Sequence, residues 1–439
     1  MSSTTAHEFK ISLPTAILIN INIMLGAGIF VNTPELAKRA GMLGGFTYIL
    51  IGLLMLPLIL TIMKLLELHP AGGFYAYSQR EISPFAGFLS GWCYFTSKLA
   101  SSMLMIHVSV TLLQHIFPTL KAINTFALDG ATVALFIALN MLNIKAGSAI
   151  QRMFITFKII PIFFAIFAGI FLLQPAYFSA SHVMWDGVYS SLPLVLYAIT
   201  GFEAACSVSG KIKNAKKNAP LAVLISFGVV ILFAALYQTF FYAALGTDLC
   251  LGNHCDAFPS LLNALPFSPF ITNKLLGLIH IAIASSTLGA AYGIIFSNCW
   301  NLHILAQKNH IWFSTFFSQL NQNLIPFACV LAEGLLCIVY LTASQGNTIP
   351  LQQIGALGCI LAYSFSVMAL LQAKKHNEHK DEIHSWIPRL ALISCTILMS
   401  ACIKSFITEG IYSLMIYGSI IAIGVMMYFS TKRWFQERN

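Results

Sequence analysis

Charge is scarce in this 439-residue sequence: 24 Lys and Arg and 15 Asp and Glu leave only 9% of positions charged. A soluble domain carries about 25% charged residues, so this chain cannot cover a water-facing surface of its own size. Other things are missing as well. No Gly-rich loop of the phosphate-cradling type occurs, and no Cys or His set has the spacing of a zinc site. No basic tail interleaves with aromatics, which argues against nucleic acid as a partner. No convergent His-Asp-Ser set suggests an enzyme, and nothing calls for a cofactor or metal. His376, His379 and His384 share the loop from Lys374 to Arg389 and read as part of a solvated polar segment. The opening Met1–Lys10 stretch is polar, with no basic region and cleavage site behind it. The first helix is therefore expected to act as an uncleaved insertion signal.

What is present is apolar: 58% of the residues are hydrophobic. The runs are continuous rather than alternating, which excludes a β-barrel. A spanning helix needs about 20 mostly apolar residues. By that measure the runs predict twelve helices, at 12–32, 42–66, 85–114, 126–144, 150–174, 188–209, 220–245, 272–306, 323–343, 350–373, 387–407 and 410–431. The fold class expected is thus an all-α membrane protein with 12 transmembrane helices and one polytopic domain over 1–439. Placing both termini in the cytoplasm puts seventeen of the Lys and Arg residues inside and five outside, leaving Lys98 and Lys158 within helices. That asymmetry is the positive-inside pattern. Most of the ten cysteines sit in apolar runs, where a thiol behaves as a small hydrophobe. Cys250 and Cys255 share a hydrophilic loop, and a disulfide or two free thiols fit equally well.

Two of the predicted helices are interrupted. The first carries Gly26-Ala27-Gly28-Ile29-Phe30, and the sixth carries Thr200-Gly201-Phe202-Glu203. Unwound backbone survives at membrane depth only where it is buried in protein or lines a cavity. Helices one and six each open a block of five. Matching breaks in two halves point to a 5+5 inverted repeat with a site near the midplane. Repeat one would run over about 12–174 and repeat two over about 188–373, with peripheral helices at about 387–431.

The chain resembles the amino acid–polyamine–organocation superfamily of amino acid permeases. Leu25-Gly26-Ala27-Gly28-Ile29-Phe30 is similar to that family's first-helix motif. His69-Pro70-Ala71-Gly72-Gly73-Phe74-Tyr75-Ala76-Tyr77 resembles its Pro-x-x-Gly-Gly-x-Tyr-x-Tyr segment, with Gly87-Phe88 and Gly91-Trp92 after it. Phe154-Ile155-Thr156-Phe157-Lys158 resembles its fifth-helix motif. Tyr197-Ala198-Ile199-Thr200-Gly201-Phe202-Glu203 resembles its sixth, followed by Asn218-Ala219-Pro220. The sequence departs from the family at Gly210-Lys211, where acidic residues are usual, and at Trp300, where an Arg is. The resemblance implies a fold with broken helices one and six and a secondary active transporter, working by proton-coupled symport or amino acid exchange. A polyamine or amine permease or antiporter of the same fold is the alternative. A bacterial inner membrane is the location expected from the short loops.

Site residues follow from the breaks. A helix end offers unpaired main-chain groups. The N–H groups of Ala27, Gly28 and Ile29, beside Gly26, can hold a carboxylate. Carbonyls near Ile23, Tyr197 and Thr200, beside Gly201, can hold the ammonium of the same amino acid. The resemblance implies that Tyr197, next to Phe202, gates the site as an aromatic lid. It also implies that Lys158 takes the place of a sodium ion between helices one, five and eight, reaching Ser285 or Ser286; snorkelling to the membrane surface is the competing expectation. Glu203 is expected to be either a proton-coupling or a structural carboxylate. Tyr94, Lys98, Ser101 and Ser102 share a face of helix three, which in the family lines the distal end of the pocket. A lone Lys98 cation would favour acidic or polar side chains; a partner at Glu203 or Glu333 would turn it away from substrate.

Overall fold

The fold is known from a computed structural model, which describes residues 10–69, 73–142, 144–179, 182–207, 209–251, 257–375 and 384–436. These residues form nineteen α-helices: α1 Leu13–Met24, α2 Ala27–Val31, α3 Thr33–Ala40, α4 Gly44–Leu68, α5 Gly73–Glu81, α6 Pro84–Ile116, α7 Pro118–Lys121, α8 Thr125–Asn140, α9 Ile144–Phe171, α10 Trp185–Ile199, α11 Ala204–Ser207, α12 Ala215–Leu245, α13 Phe258–Asn263, α14 Pro269–Gln307, α15 Ser314–Phe317, α16 Phe327–Ser344, α17 Thr348–Lys375, α18 Trp386–Glu409 and α19 Ile411–Gln436. Among the described residues there is no sheet, only two isolated bridges.

Local chemistry sets the helix ends. Ser12 caps α1 by accepting from the Thr15 N–H, and Ser83 caps α6 by accepting from the Ala86 N–H. Each is followed by a proline in the first turn, where the missing N–H costs nothing. Inside the helices, threonine and serine hydroxyls bond back to carbonyls one turn earlier, as Thr47 does to Leu43 and Thr61 to Pro57. That satisfies polar groups where water is absent.

Nine helical segments among the described residues are long and apolar enough to cross a membrane. Two further apolar stretches are shorter, Thr125–Asn140 and Lys158–Phe171. The run expected at 188–209 is divided into α10 and α11 by the second interruption. The long runs expected at 85–114 and 272–306 appear as single helices of 33 and 39 residues. Five short helices, α3, α5, α7, α13 and α15, lie outside the twelve expected runs.

Burial separates inner helices from outer ones. In an apolar 18-residue stretch of each span, 78% of the residues are buried in Leu13–Val31 and in α14, against 28% in Ile411–Arg433. α6 lies centrally against α14 and α17, α12 packs on α4 and α9, and α1 is enclosed by α12, α9 and α14. α18 covers α17 and α4. Large apolar side chains such as Leu53, Phe167 and Leu335 are exposed on the outside, a surface suited to lipid. The Cys250–Cys255 pairing and residues His376 and His379 lie outside the described residues, while His384 is exposed.

Candidate functional site

Both interruptions are present, and they face each other. α1 stops at Met24, Leu25 and Gly26 leave helical geometry, and α2 restarts at Ala27. In the second, Thr200 is extended, Gly201 has φ +126°, and α11 begins at Ala204. An L side chain rarely adopts that φ, so glycine is required there. A Cβ on Gly201 would stand 2.7 Å from Ile23 Cγ2 and 3.1 Å from the Met24 nitrogen. A Cβ on Gly28 would stand 2.6 Å from Ala198 Cα. Each break therefore rests on the other helix, with only glycine leaving room. Asn32 ties the far side of the first break to α10, donating from Nδ2 to the Leu194 carbonyl at 2.9 Å.

The main-chain inventory differs between the ends. Ala27, Gly28 and Ile29 open α2, so their N–H groups precede any helical acceptor. The Tyr197 carbonyl already accepts from the Thr200 hydroxyl at 3.0 Å and, more weakly, from the Thr200 N–H at 3.4 Å, so an ammonium would take the place of one of them. Tyr197 is buried, with its ring between Gly28 on one side and Gly355 of α17 on the other. Met105 of α6 reaches over Gly26.

Lys158 does not snorkel; it is fully buried. Its ammonium donates to the carbonyls of Asn22 at 2.6 Å, Leu25 at 2.5 Å and Ser286 at 2.8 Å. The Ser286 hydroxyl also donates to Leu25 at 3.1 Å. A single cation thus fastens the frayed end of α1 to α14. Ser286 takes part, whereas the neighbouring Ser285 is only half-buried.

Lys98 meets Glu203. Nζ lies 2.8 Å from Oε1, and both side chains are buried. The other carboxylate oxygen accepts from the Gly201 N–H at 2.9 Å, so Glu203 caps its own break. Around the pair stand aromatic rings: Tyr94 beneath the Lys98 ammonium at 5.3 Å, Phe74 at 4.6 Å from Tyr94, and Tyr363 at 5.6 Å from Phe202. Phe202 itself packs edge-on against Phe227. The two serines of α6 diverge. Ser101 neighbours Gly355, which also packs against Tyr197, while Ser102 lies 3.2 Å from Cys337 on α16.

Several participants had little signal in the sequence. Phe74 of α5 and Tyr363 of α17 join the aromatic group only through packing. Asn22 and Asn32, polar residues in an apolar run, also went unremarked in the sequence. Glu333 is buried and accepts from Asn298 at 3.1 Å, apart from both breaks. Among the described residues no group of three His, Cys, Asp or Glu could hold a metal.

A separate cavity of about 860 Å³ lies at the C-terminal end of α6, lined by His107, Thr111, His115, His280 and Asn347 among others. At the opposite end of α6, α5 closes the bundle. There the Tyr75 hydroxyl is 2.8 Å from His310 Nε2. Burial, with Lys308 adding to it, pushes the His310 imidazole down to about 4.

A family model described as amino acid permease matches residues 11–429. Uncharacterized transporters of Mycobacterium tuberculosis and Mycobacterium bovis are each 22% identical over 432 residues, covering 95% of this chain and 90% of their own. The b(0,+)-type amino acid transporter 1 of Mus musculus is 20% identical over 445 residues, covering 97% of this chain and 88% of its own.

Proposed function

We propose an activity from one premise: the chain belongs to the amino acid permease family, within the amino acid–polyamine–organocation superfamily, and is a membrane transporter. It carries an amino acid by alternating access, coupled to protons or to counter-exchange of a second amino acid. The observation that carries this reading is the contact between the two breaks, Gly28 on Ala198 and Gly201 on Ile23. It leaves main-chain donors and acceptors side by side at the centre of the bundle. A carboxylate at Ala27, Gly28 and Ile29 and an ammonium at Ile23, Thr200 and Tyr197 would match them with no charged side chain.

The architecture proposed is twelve helices, ten of them in a 5+5 inverted repeat and the last two outside it. Helices one and six rock around the fixed site, with Tyr197 as the lid. Lys158 supplies an ammonium, permanent or titratable during the cycle, where a sodium ion would otherwise sit, which is why no sodium dependence is expected. With both termini in the cytoplasm of a plasma membrane, the 860 Å³ cavity faces outward and the α5 end faces inward.

Purified protein in liposomes tests this. Vesicles loaded with one unlabelled amino acid should accumulate the labelled form by counterflow, without sodium. Absence of counterflow for every amino acid tried, or an absolute need for sodium, would refute it.

A further inference from the structure

We propose that the Lys98–Glu203 pair sets the charge selectivity of the transport site, admitting amino acids with uncharged side chains and rejecting acidic and basic ones alike. The inference rests on the transport reading above and deepens it.

The position of the pair comes first. Glu203 is part of the second break, two residues from Gly201, whose N–H holds its Oε2 at 2.9 Å. Lys98 stands one turn of α6 from Ser101, the serine that shares Gly355 with Tyr197. A side chain projecting from a zwitterion at the breaks toward α6 therefore arrives at this pair.

The surroundings come next. Tyr94, Tyr363, Phe74 and Phe202 wall the pair, and the Cys359 thiol adjoins Lys98. None of these carries charge, and the pair itself sums to zero. A buried pair is tolerated because each charge answers the other; a lone buried charge is not. An incoming carboxylate would compete with Glu203 for Lys98 and leave one anion unanswered. An incoming ammonium or guanidinium would do the same to Lys98. Only a side chain without net charge leaves the pair intact, so exclusion works in both directions through repulsive elements already in place. A lone Lys98 would instead have favoured acidic substrates; Glu203 answers that charge, and because Glu203 belongs to the second break the pair stays beside the site rather than turning Lys98 away from it.

Counterflow in liposomes with labelled leucine, glutamine, glutamate and lysine tests the inference in the wild type, Lys98→Met, Glu203→Gln and the double variant. The wild type should favour leucine and glutamine over glutamate and lysine. Lys98→Met leaves an anion and should raise the lysine-to-leucine ratio by about ten-fold or more, and Glu203→Gln should raise the glutamate-to-leucine ratio similarly. The double variant, neutral again, should return to the wild-type order. Unchanged ratios in both single variants, with leucine flux retained, would overturn the inference and leave the transport reading standing. If the single variants do not accumulate, competition on the wild type decides: glutamate or lysine competing as well as leucine overturns it, and exclusion of both supports it. Absence of counterflow for any amino acid removes the transport reading and this inference together.

Discussion

Adding one methyl group at Gly28 is a direct probe of the contact between the two breaks. In Gly28→Ala the new Cβ would sit 2.6 Å from Ala198 Cα and 2.9 Å from Ala198 Cβ. Carbon atoms at rest are about 3.5–4.0 Å apart, so α2 and α10 must separate by roughly 1 Å. Neither of these Ala198 atoms belongs to a rotatable chain end, so no side chain can swing clear. Overpacking of this kind costs about 1–3 kcal/mol. If the closed contact is the state that binds the zwitterion, that cost weakens binding by about 5- to 140-fold, at 1.4 kcal/mol per tenfold. The assay is the half-saturation concentration for counterflow, with thermal unfolding in detergent as the check on folding. Gly228→Ala on α12 is the control, since nothing lies within 4 Å of its added Cβ, and a helical Gly→Ala change is worth about 0.5–1 kcal/mol in favour of the fold. A Gly28→Ala protein with half-saturation indistinguishable from that of the control would refute the reasoning.

Other substitutions follow from the same geometry. Lys158→Met removes three charge-assisted bonds from carbonyls of α1 and α14, each worth about 1.5–3 kcal/mol. Counterflow should collapse and the unfolding temperature should fall; retention of both would show that the ammonium is dispensable. Ser101→Leu should block uptake by filling the space beside Gly355 and Tyr197, while Ser102→Ala should transport normally, as its hydroxyl faces Cys337. Equal losses in labelled uptake would contradict that division. His310 titrates at about 4 in the fold against an ordinary 6.5, so the unfolded chain takes up the proton first. The stability His310 lends is present above pH 6.5 and is lost as pH falls toward 4. His310→Asn should flatten the unfolding midpoint across that window, and an unaltered slope would place the acid sensitivity elsewhere.

How much of the site was legible depended on the distance between partners in the chain. Gly26, Gly28 and Gly201 announced the breaks because they recur at matching places, at the head of each five-helix block; a lone glycine such as Gly228 leaves α12 continuous. Lys158 announced itself as a charge among apolar neighbours. The choice of Ser286 over Ser285 and of Ser101 over Ser102 beside the breaks did not show, because neighbouring residues on a helix differ by about 100° in direction. Only the rotation of α6 and α14 in the bundle decides which one faces inward. α3, α5, α7, α13 and α15 were missed because short segments between spans carry too few periods to be told from loops.

The sequence by itself determined that this chain lies in a membrane as helices, where those helices break, and which charges fall within the apolar runs. These are local properties, set by apolar run length, by glycine and by the cost of a charge among hydrocarbons. Tertiary structure decided the pairings. Lys98 and Glu203 are more than one hundred positions apart, and whether Lys98 stands alone or answered depends on α6 lying against the second break. Pairwise geometry of that kind comes from how distant helices pack, and no single stretch of chain encodes it.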